Sequence, residues 1–288
     1  DAPRSYLFLA QDNHELRATG GVIGGVGILE VERGRVRRVS FSDSCAIDDL
    51  SKLYPPPARP FMRYMGTKLL LMRDANWSPD FARSAWVAEQ VYRLGQETEV
   101  DGVVAVDLMG LQFLVGAVEP LYVASYDQEV TAENLLYGLE EHWSAPQTRG
   151  PADGNAGQRL PERIDFMGTA LEALIGELNS GALRGEVMPV ALASRRAFQE
   201  KHLLMYLNDW PTQYLIEELG WGGRLAPATT DYLLVVDTNM GLNKVDPQVS
   251  RRIGYQVWLD APGSPRAEGS IAYQNTSCPL ADPCPQEA

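Results

Sequence analysis

The sequence predicts an α/β protein, a three-layer α/β/α sandwich around a mixed central sheet. Three observations carry that expectation. Short apolar runs rich in β-branched and aromatic residues alternate with segments of helical period. None of these runs approaches the ~20 apolar residues that span a bilayer. The composition, 45% hydrophobic and 22% charged over 288 residues, suits a globular chain with one large core or two modest ones.

The elements follow in order. Ser5 to Gln11 reads as a buried strand that ends in the polar loop Asp12-Asn13-His14-Glu15-Leu16-Arg17. The glycine-dense stretch Gly20 to Val31 and the run Val36 to Phe41 form a hairpin, with Gly34 supplying the tight turn. Tyr54-Pro55-Pro56-Pro57 is extended, because consecutive prolines suit neither a helix nor a central strand. Ser78-Pro79-Asp80 starts a long amphipathic helix to about Gly95, with Ser78 as its cap. Val100 to Asp107 is a strand and Leu108 to Val118 a helix, and Thr131-Ala132-Glu133-Asn134 opens another helix. Ser144 to Glu162 has no period and reads as a mobile insertion. Arg163 to Leu178 is helical, stopped by Gly181 and Gly185. Lys201 to Leu207 is a strand, and a short helix after Trp210-Pro211 ends at Gly220. Tyr232 to Val236 and Ile253 to Leu259 are the last strands. The expected organisation is one domain over residues 1–260 and an irregular tail over 261–288.

Charge and cysteine usage narrow the partners. With 25 Lys+Arg against 38 Asp+Glu the formal charge is −13, which disfavours nucleic acid because phosphate binding needs a concentrated basic surface. Asp1-Ala2-Pro3-Arg4 shows no basic-then-apolar leader pattern. Cys278 and Cys284 are spaced for a small disulfide if the chain is exported, and Cys45 is left over as a buried or inert thiol.

Three polar clusters are the candidate site. The first is the loop after the opening strand, where Asp12, Asn13, Glu15, Arg17, Gly20 and Gly21 combine acid, base, amide and exposed backbone N–H groups. Active sites of open α/β sheets gather at such strand ends. The plainer alternative is that Glu15 and Arg17 pair with each other. The second cluster, Arg73, Asp74, Asn76 and Asp80 beside Trp77, sits just before a helix N-terminus, which favours anions. Asp80 is equally an ordinary first-turn acid. The third, Asn239, Asn243 and Lys244 with Arg251 nearby, again follows an apolar run. The three loops are expected to meet. Standard nucleophile readings fare poorly, since there is no G-x-S-x-G and His14, His142 and His202 have no paired metal spacing. His14 reads as a solvated loop residue, His142 as a helix end and His202 as a strand start.

These motifs, in the order Gln11 to Gly21, Arg73 to Phe81, Val100-Asp101-Gly102-Val103, Thr131 to Asn134 and Asn239 to Lys244 with Arg251, resemble a bacterial family known as domain of unknown function 4012. The resemblance extends to about Leu259. It implies an extracytoplasmic cell-envelope protein, anchored in the membrane by a helix that would precede Asp1. That family is in turn similar to the LytR-CpsA-Psr enzymes, which transfer glycopolymers from a polyprenyl pyrophosphate carrier to the cell wall. Where those enzymes have an Arg-Asp pair after the third strand this chain has Ser42-Asp43, and Arg73-Asp74 is the candidate replacement. By that resemblance Arg17 and Arg73 would stabilise the pyrophosphate of a lipid-linked glycan, while Asp74 or Glu15 would activate the acceptor hydroxyl or hold Mg²⁺, the one cofactor implied. Asp12, Asn13, Gly20, Gly21, Asn76, Asp80, Asn239, Asn243, Lys244 and Arg251 would line the ligand. The alternative is a non-catalytic envelope module that binds a glycan or a protein. A lipid-linked substrate needs a long apolar groove, whereas a glycan binder shows a shallow aromatic-lined face.

Overall fold

Strand β1 (Arg4–Asp12) is apolar at successive positions, so it must be covered on both faces. In the computed structural model, Leu7 and Leu9 point into one apolar cluster and Phe8 and Ala10 into another. The structure describes residues 2–118, 120–124, 127–135, 161–180, 187–225, 231–241, 243–259 and 265–277. β2 (Val22–Glu32) and β3 (Arg35–Asp43) form the expected hairpin. Its two-residue turn, Arg33-Gly34, has φ of 51° and 75°; two positive φ values match the twist of the flanking strands.

A short helix α1 (Ser44–Ile47) leads into the proline segment, a π-helical turn (Phe61–Met65) and a 3-10 turn (Met72–Asp74). The long helix α2 (Phe81–Gln96) follows, then β4 (Gly102–Asp107), α3 (Leu108–Val115) and a small separate hairpin of β5 (Leu121–Val123) and β6 (Gln128–Val130). Helices α4 (Pro161–Ser180) and α5 (Val187–Gln199), strand β7 (Leu203–Leu207) and helix α6 (Trp210–Glu218) come next. The five-stranded sheet has the order β3-β2-β1-β4-β7. It is mixed, since β1 runs parallel to β4 while every other neighbouring pair is antiparallel. Phe81, Ala85, Ala88 and Val91 of α2 share the cluster of Leu7 and Leu9. Leu111 and Val115 of α3, Leu171 and Leu174 of α4, and Ala197 and Phe198 of α5 share that of Phe8 and Ala10.

Several expectations are corrected. Asp80 rather than Ser78 caps α2, its carboxylate accepting from Arg83 N at 3.3 Å, while Ser78 Oγ is taken up in the preceding turn, accepting from Asp80 N at 3.2 Å. Residues 232–236 join no ladder, since an apolar run alone does not specify a pairing partner. α5 was not expected; its Pro189 lies in the first turn, where a missing N–H costs nothing. The chain divides into Asp1–Gly241 and Leu242–Ala288, not at residue 261. The second unit holds a hairpin of β8 (Val249–Trp258) and β9 (Arg266–Asn275), so part of the expected tail is strand. Cys45 is exposed, not buried, although desolvation of its thiol and the neighbouring Asp43 carboxylate push its pKa up and keep it protonated. Of the expected 144–162 insertion, Pro161 and Glu162 begin α4; residues 144–160, His142, Gly181, Gly185 and the Cys278 and Cys284 pair lie outside the described residues.

The glycines of β2 have a packing role. The Phe41 ring lies across the sheet so that a Cβ on Gly25 would sit 2.3 Å from its edge and one on Gly27 2.8 Å away. Phe8 packs on the same ring, 6.0 Å between centroids. Gly24, pointing the other way, meets nothing within 4 Å. Gly25→Ala is therefore expected to lower the unfolding free energy by about 1 to 3 kcal/mol in denaturant melts. Gly24→Ala should change it by less than about 0.5 kcal/mol.

Candidate functional site

The chain leaves the sheet at the carboxyl end of β1, where register shifts between Ala10 and Gln11. The loop from Asn13 to Gly21 folds back on itself: Glu15 N donates to Asp12 O (3.1 Å), Gly20 N to Arg17 O (3.1 Å) and Val22 N to Glu15 O (2.8 Å). Asp12 is buried and its carboxylate accepts from His14 N at 3.0 Å, with His14 Nδ1 at 3.1 Å. Gly21 is required here, because any Cβ would fall 2.1 Å from Asp12 O.

This folding carries Arg17 inward. Its side chain has no solvent-accessible surface. Nη2 donates to Glu15 Oε1 (2.9 Å) and Asp74 Oδ1 (3.1 Å); Nη1 donates to Leu16 O (3.0 Å) and Asn239 O (2.8 Å). Four of the five guanidinium N–H donors are thus used, and only Nε lacks a partner. The guanidinium lies over the Phe61 ring, 5.6 Å from its centroid, and Phe61 meets Trp77 edge-on at 5.1 Å. The other Asp74 oxygen takes Arg73 Nε at 3.3 Å. Burial pushes the Glu15 carboxyl pKa up, while Arg17 opposes the shift.

A neutral network continues the same wall. Asn76 Nδ2 donates to Gly21 O (2.8 Å), Thr19 Oγ1 (3.0 Å) and Gln11 Oε1 (3.2 Å), and Gln11 Oε1 also accepts from Thr19 Oγ1 (3.0 Å) and Gly21 N (3.3 Å). The third loop arrives through Asn239, whose N donates to Leu16 O at 3.0 Å and whose side chain accepts from Gly241 N at 2.7 Å. Arg17, Asp74 and Asn239 therefore meet, and Asn76 joins the first loop beside them through Gln11, Thr19 and Gly21. Asn13 and Gly20 lie in the loop, half-buried. Asn243, Lys244 and Arg251 belong to the second unit, where all three are exposed. Asp80 lies apart, at the start of α2, with its second oxygen accepting from Leu225 N at 3.2 Å.

The arrangement is a clasp joining three loops. An Arg whose donors are spent on two carboxylates and two carbonyls has little left for a pyrophosphate in this conformation. The residues do not fit the Mg²⁺ that the resemblance implies, because Glu15 and Asp74 both face Arg17. Among the described residues no group of three or more His, Cys, Asp or Glu is placed to hold a metal.

Sequence reasoning passed over two neighbouring features. Asp107, at the carboxyl end of β4 and opposite Gln11 in the sheet, caps α3 through Gly110 N (2.9 Å) and holds His202 Nδ1 at 2.8 Å. That bond raises the His202 pKa, Glu200 reinforces it and Arg196 opposes it. The pair's stabilisation is full below the unfolded value of 6.5 and is lost as pH rises through the higher folded value. The second feature is an open cavity of about 430 Å³ at the β7 edge, bordered by Trp210, Tyr206, Asn208, Asp80, Arg83 and Arg224. Trp210 is 65% exposed. Behind it, Asn208 Nδ2 donates to Glu89 Oε1 at 3.0 Å, and burial pushes the Glu89 carboxyl up to about 7. A Trp-Pro pair read only as a helix start was the available signal for this wall.

Comparison with known proteins bears on the first half of the chain. Residues 1–143 match the family described as Protein of unknown function (DUF4012). That segment holds β1 to β4, α2 and both the Arg17 and Asp74 sides of the clasp; Asn239 and the β7 edge lie outside it. No curated protein matches the chain. Among solved structures, protein gbs0355 from Streptococcus agalactiae is similar at 12% identity over 77% of this chain and 73% of that one, with a TM-score of 0.37.

Two outcomes follow from these contacts. Arg17→Ala leaves Asp74 buried without its main counter-charge and should cost roughly 3 to 5 kcal/mol in urea unfolding; a loss under about 1 kcal/mol would mean the clasp is not structural. Glu89 holds its proton in the folded state between its unfolded value of 4.5 and about 7, so stability attributable to it falls as pH rises through that window. Glu89→Gln should raise stability by about 1 to 3 kcal/mol at pH 8 and have little effect near pH 4.

Proposed function

We propose that the protein is a non-catalytic, glycan-binding module of the bacterial cell envelope. The β7-edge cavity carries this reading. Trp210 offers an exposed indole face against which the C–H face of a sugar ring can rest. Beside it the exposed Arg83 guanidinium presents a planar donor group suited to adjacent hydroxyls, while Asp80, Asn208 and Arg224 are held in place by Leu225 N, Glu89 and Glu217 and border the recess. A shallow recess with one aromatic platform suits a polymer passing over a surface better than an enclosed small molecule.

The envelope address, anchoring by a preceding membrane helix and a three-layer, LytR-CpsA-Psr-like fold rest on the resemblance to domain of unknown function 4012. So does the choice of ligand, a cell-wall polymer or a lipid-linked glycan. The transferase reading draws on the same resemblance, but it asks Arg17 to grip a pyrophosphate while Glu15 and Asp74 already occupy it.

The test is titration of ¹⁵N-labelled protein with soluble β-1,4-linked N-acetylhexosamine oligomers. Shifts should concentrate on Asn208 to Gln213 and the start of α2, and Trp210→Ala should weaken binding at least about 10-fold without changing the melting temperature. Absence of saturable shifts at about 10 mM oligomer, weaker than the affinity expected of even a poor specific site, would remove the reading.

A further inference from the structure

Residues 50–73 contain five basic side chains, Lys52, Arg59, Arg63, Lys68 and Arg73, and no acidic one, in a chain of formal charge −13. Lys52 is paired with Glu97 and Arg73 with Asp74. Arg59, Arg63 and Lys68 are exposed and make no ion pair among the described residues. Interleaved with them, Met62, Tyr64 and Leu69 are 41%, 63% and 38% exposed. The tip is held in place from within, because Phe61 in the same π-helical turn is fully buried beneath Trp77 and the Arg17 guanidinium. Arg63 lies over the Tyr64 ring at 5.2 Å, and an open recess of about 550 Å³ is bordered by Arg59, Pro60, Met62, Arg63 and Tyr64.

We propose that residues 59–69 dock the protein on an anionic phospholipid surface. Met62, Tyr64 and Leu69 enter the interfacial layer, and Arg59, Arg63 and Lys68 meet headgroup phosphates. The sign of the charge selects the partner: an acidic protein is repelled by an anionic bilayer everywhere except where its own surface is basic. The apolar side chains select the bilayer over other polyanions, because a membrane offers an apolar layer directly beneath its phosphates whereas nucleic acid does not. Tyrosine and arginine both suit that boundary, having an apolar body and a polar end. This inference is independent of the glycan reading and uses none of its residues.

The experiment is co-sedimentation of the full chain with vesicles of phosphatidylcholine alone or with about 30% phosphatidylglycerol, at low and high salt. Binding is expected only with the anionic lipid and should fall with salt. The double variants R59S/R63S and M62S/Y64S should each weaken it at least about 10-fold while melting as the parent does, since all four side chains are exposed. Equal binding to neutral vesicles, no binding to anionic vesicles at low salt, or parental binding by both variants would overturn the proposal. So would equally tight binding to a single-stranded oligonucleotide that the R59S/R63S change alone abolishes.

Discussion

The fold around β1 depends on one buried guanidinium. Arg17 is the group on which the loop after β1, the turn before α2 and the segment at Asn239 all close. A lone buried cation would be expensive, and it is tolerated here because two carboxylates and two carbonyls surround it while Phe61 covers its face. The order of cause runs from backbone to charge. Gly21 lets the loop turn back against Asp12, that turn aims Arg17 inward, and the carboxylates then fix where the neighbouring loops rest.

That closure sorts the polar groups of the molecule. The residues richest in apparent chemistry, Glu15, Arg17 and Asp74, satisfy one another inside. The groups with free faces lie elsewhere, around Trp210 at the β7 edge and around Met62 and Tyr64 at the basic tip. Phe61 links the two regimes, because its buried ring supports the guanidinium on one side while its own turn presents the exposed tip. The exposed tip is thereby tied to the enclosed ion-pair cluster around Arg17.

Periodicity made the scaffold legible. β1, the β2 and β3 hairpin, α2, β4 and β7 all stand where strand and helix patterns put them, and the family match over residues 1–143 agrees with the resemblance read from the motifs of that segment. Local pattern was weaker where pairing decides the outcome. Tyr232 to Val236 has a strand's composition but no partner strand among the described residues, whereas Arg266–Asn275, diluted with Gly, Ala and Ser, is a strand because β8 pairs with it. The convergence of the three loops was readable, but the inward turn of Arg17 was not. Its partners Asp74 and Asn239 lie 57 and 222 residues away, and nothing within the loop distinguishes a solvated Arg from an enclosed one. The Asp107 and His202 pair, 95 residues apart, escaped for the same reason.

The central claim is that Arg17 and Asp74 act on stability through each other. A double-mutant cycle with Arg17→Met and Asp74→Asn, read by urea unfolding at neutral pH, isolates that term from the cost of each change alone. The account predicts a coupling of at least about 1.5 kcal/mol, with the double variant more stable than the sum of the single losses allows, because Asp74→Asn removes the buried carboxylate that Arg17→Met strands, while the loss at Glu15 is common to both Arg17 variants and cancels in the cycle. Additive losses within about 0.5 kcal/mol would contradict it and show that the ion pair is incidental to the closure of the three loops.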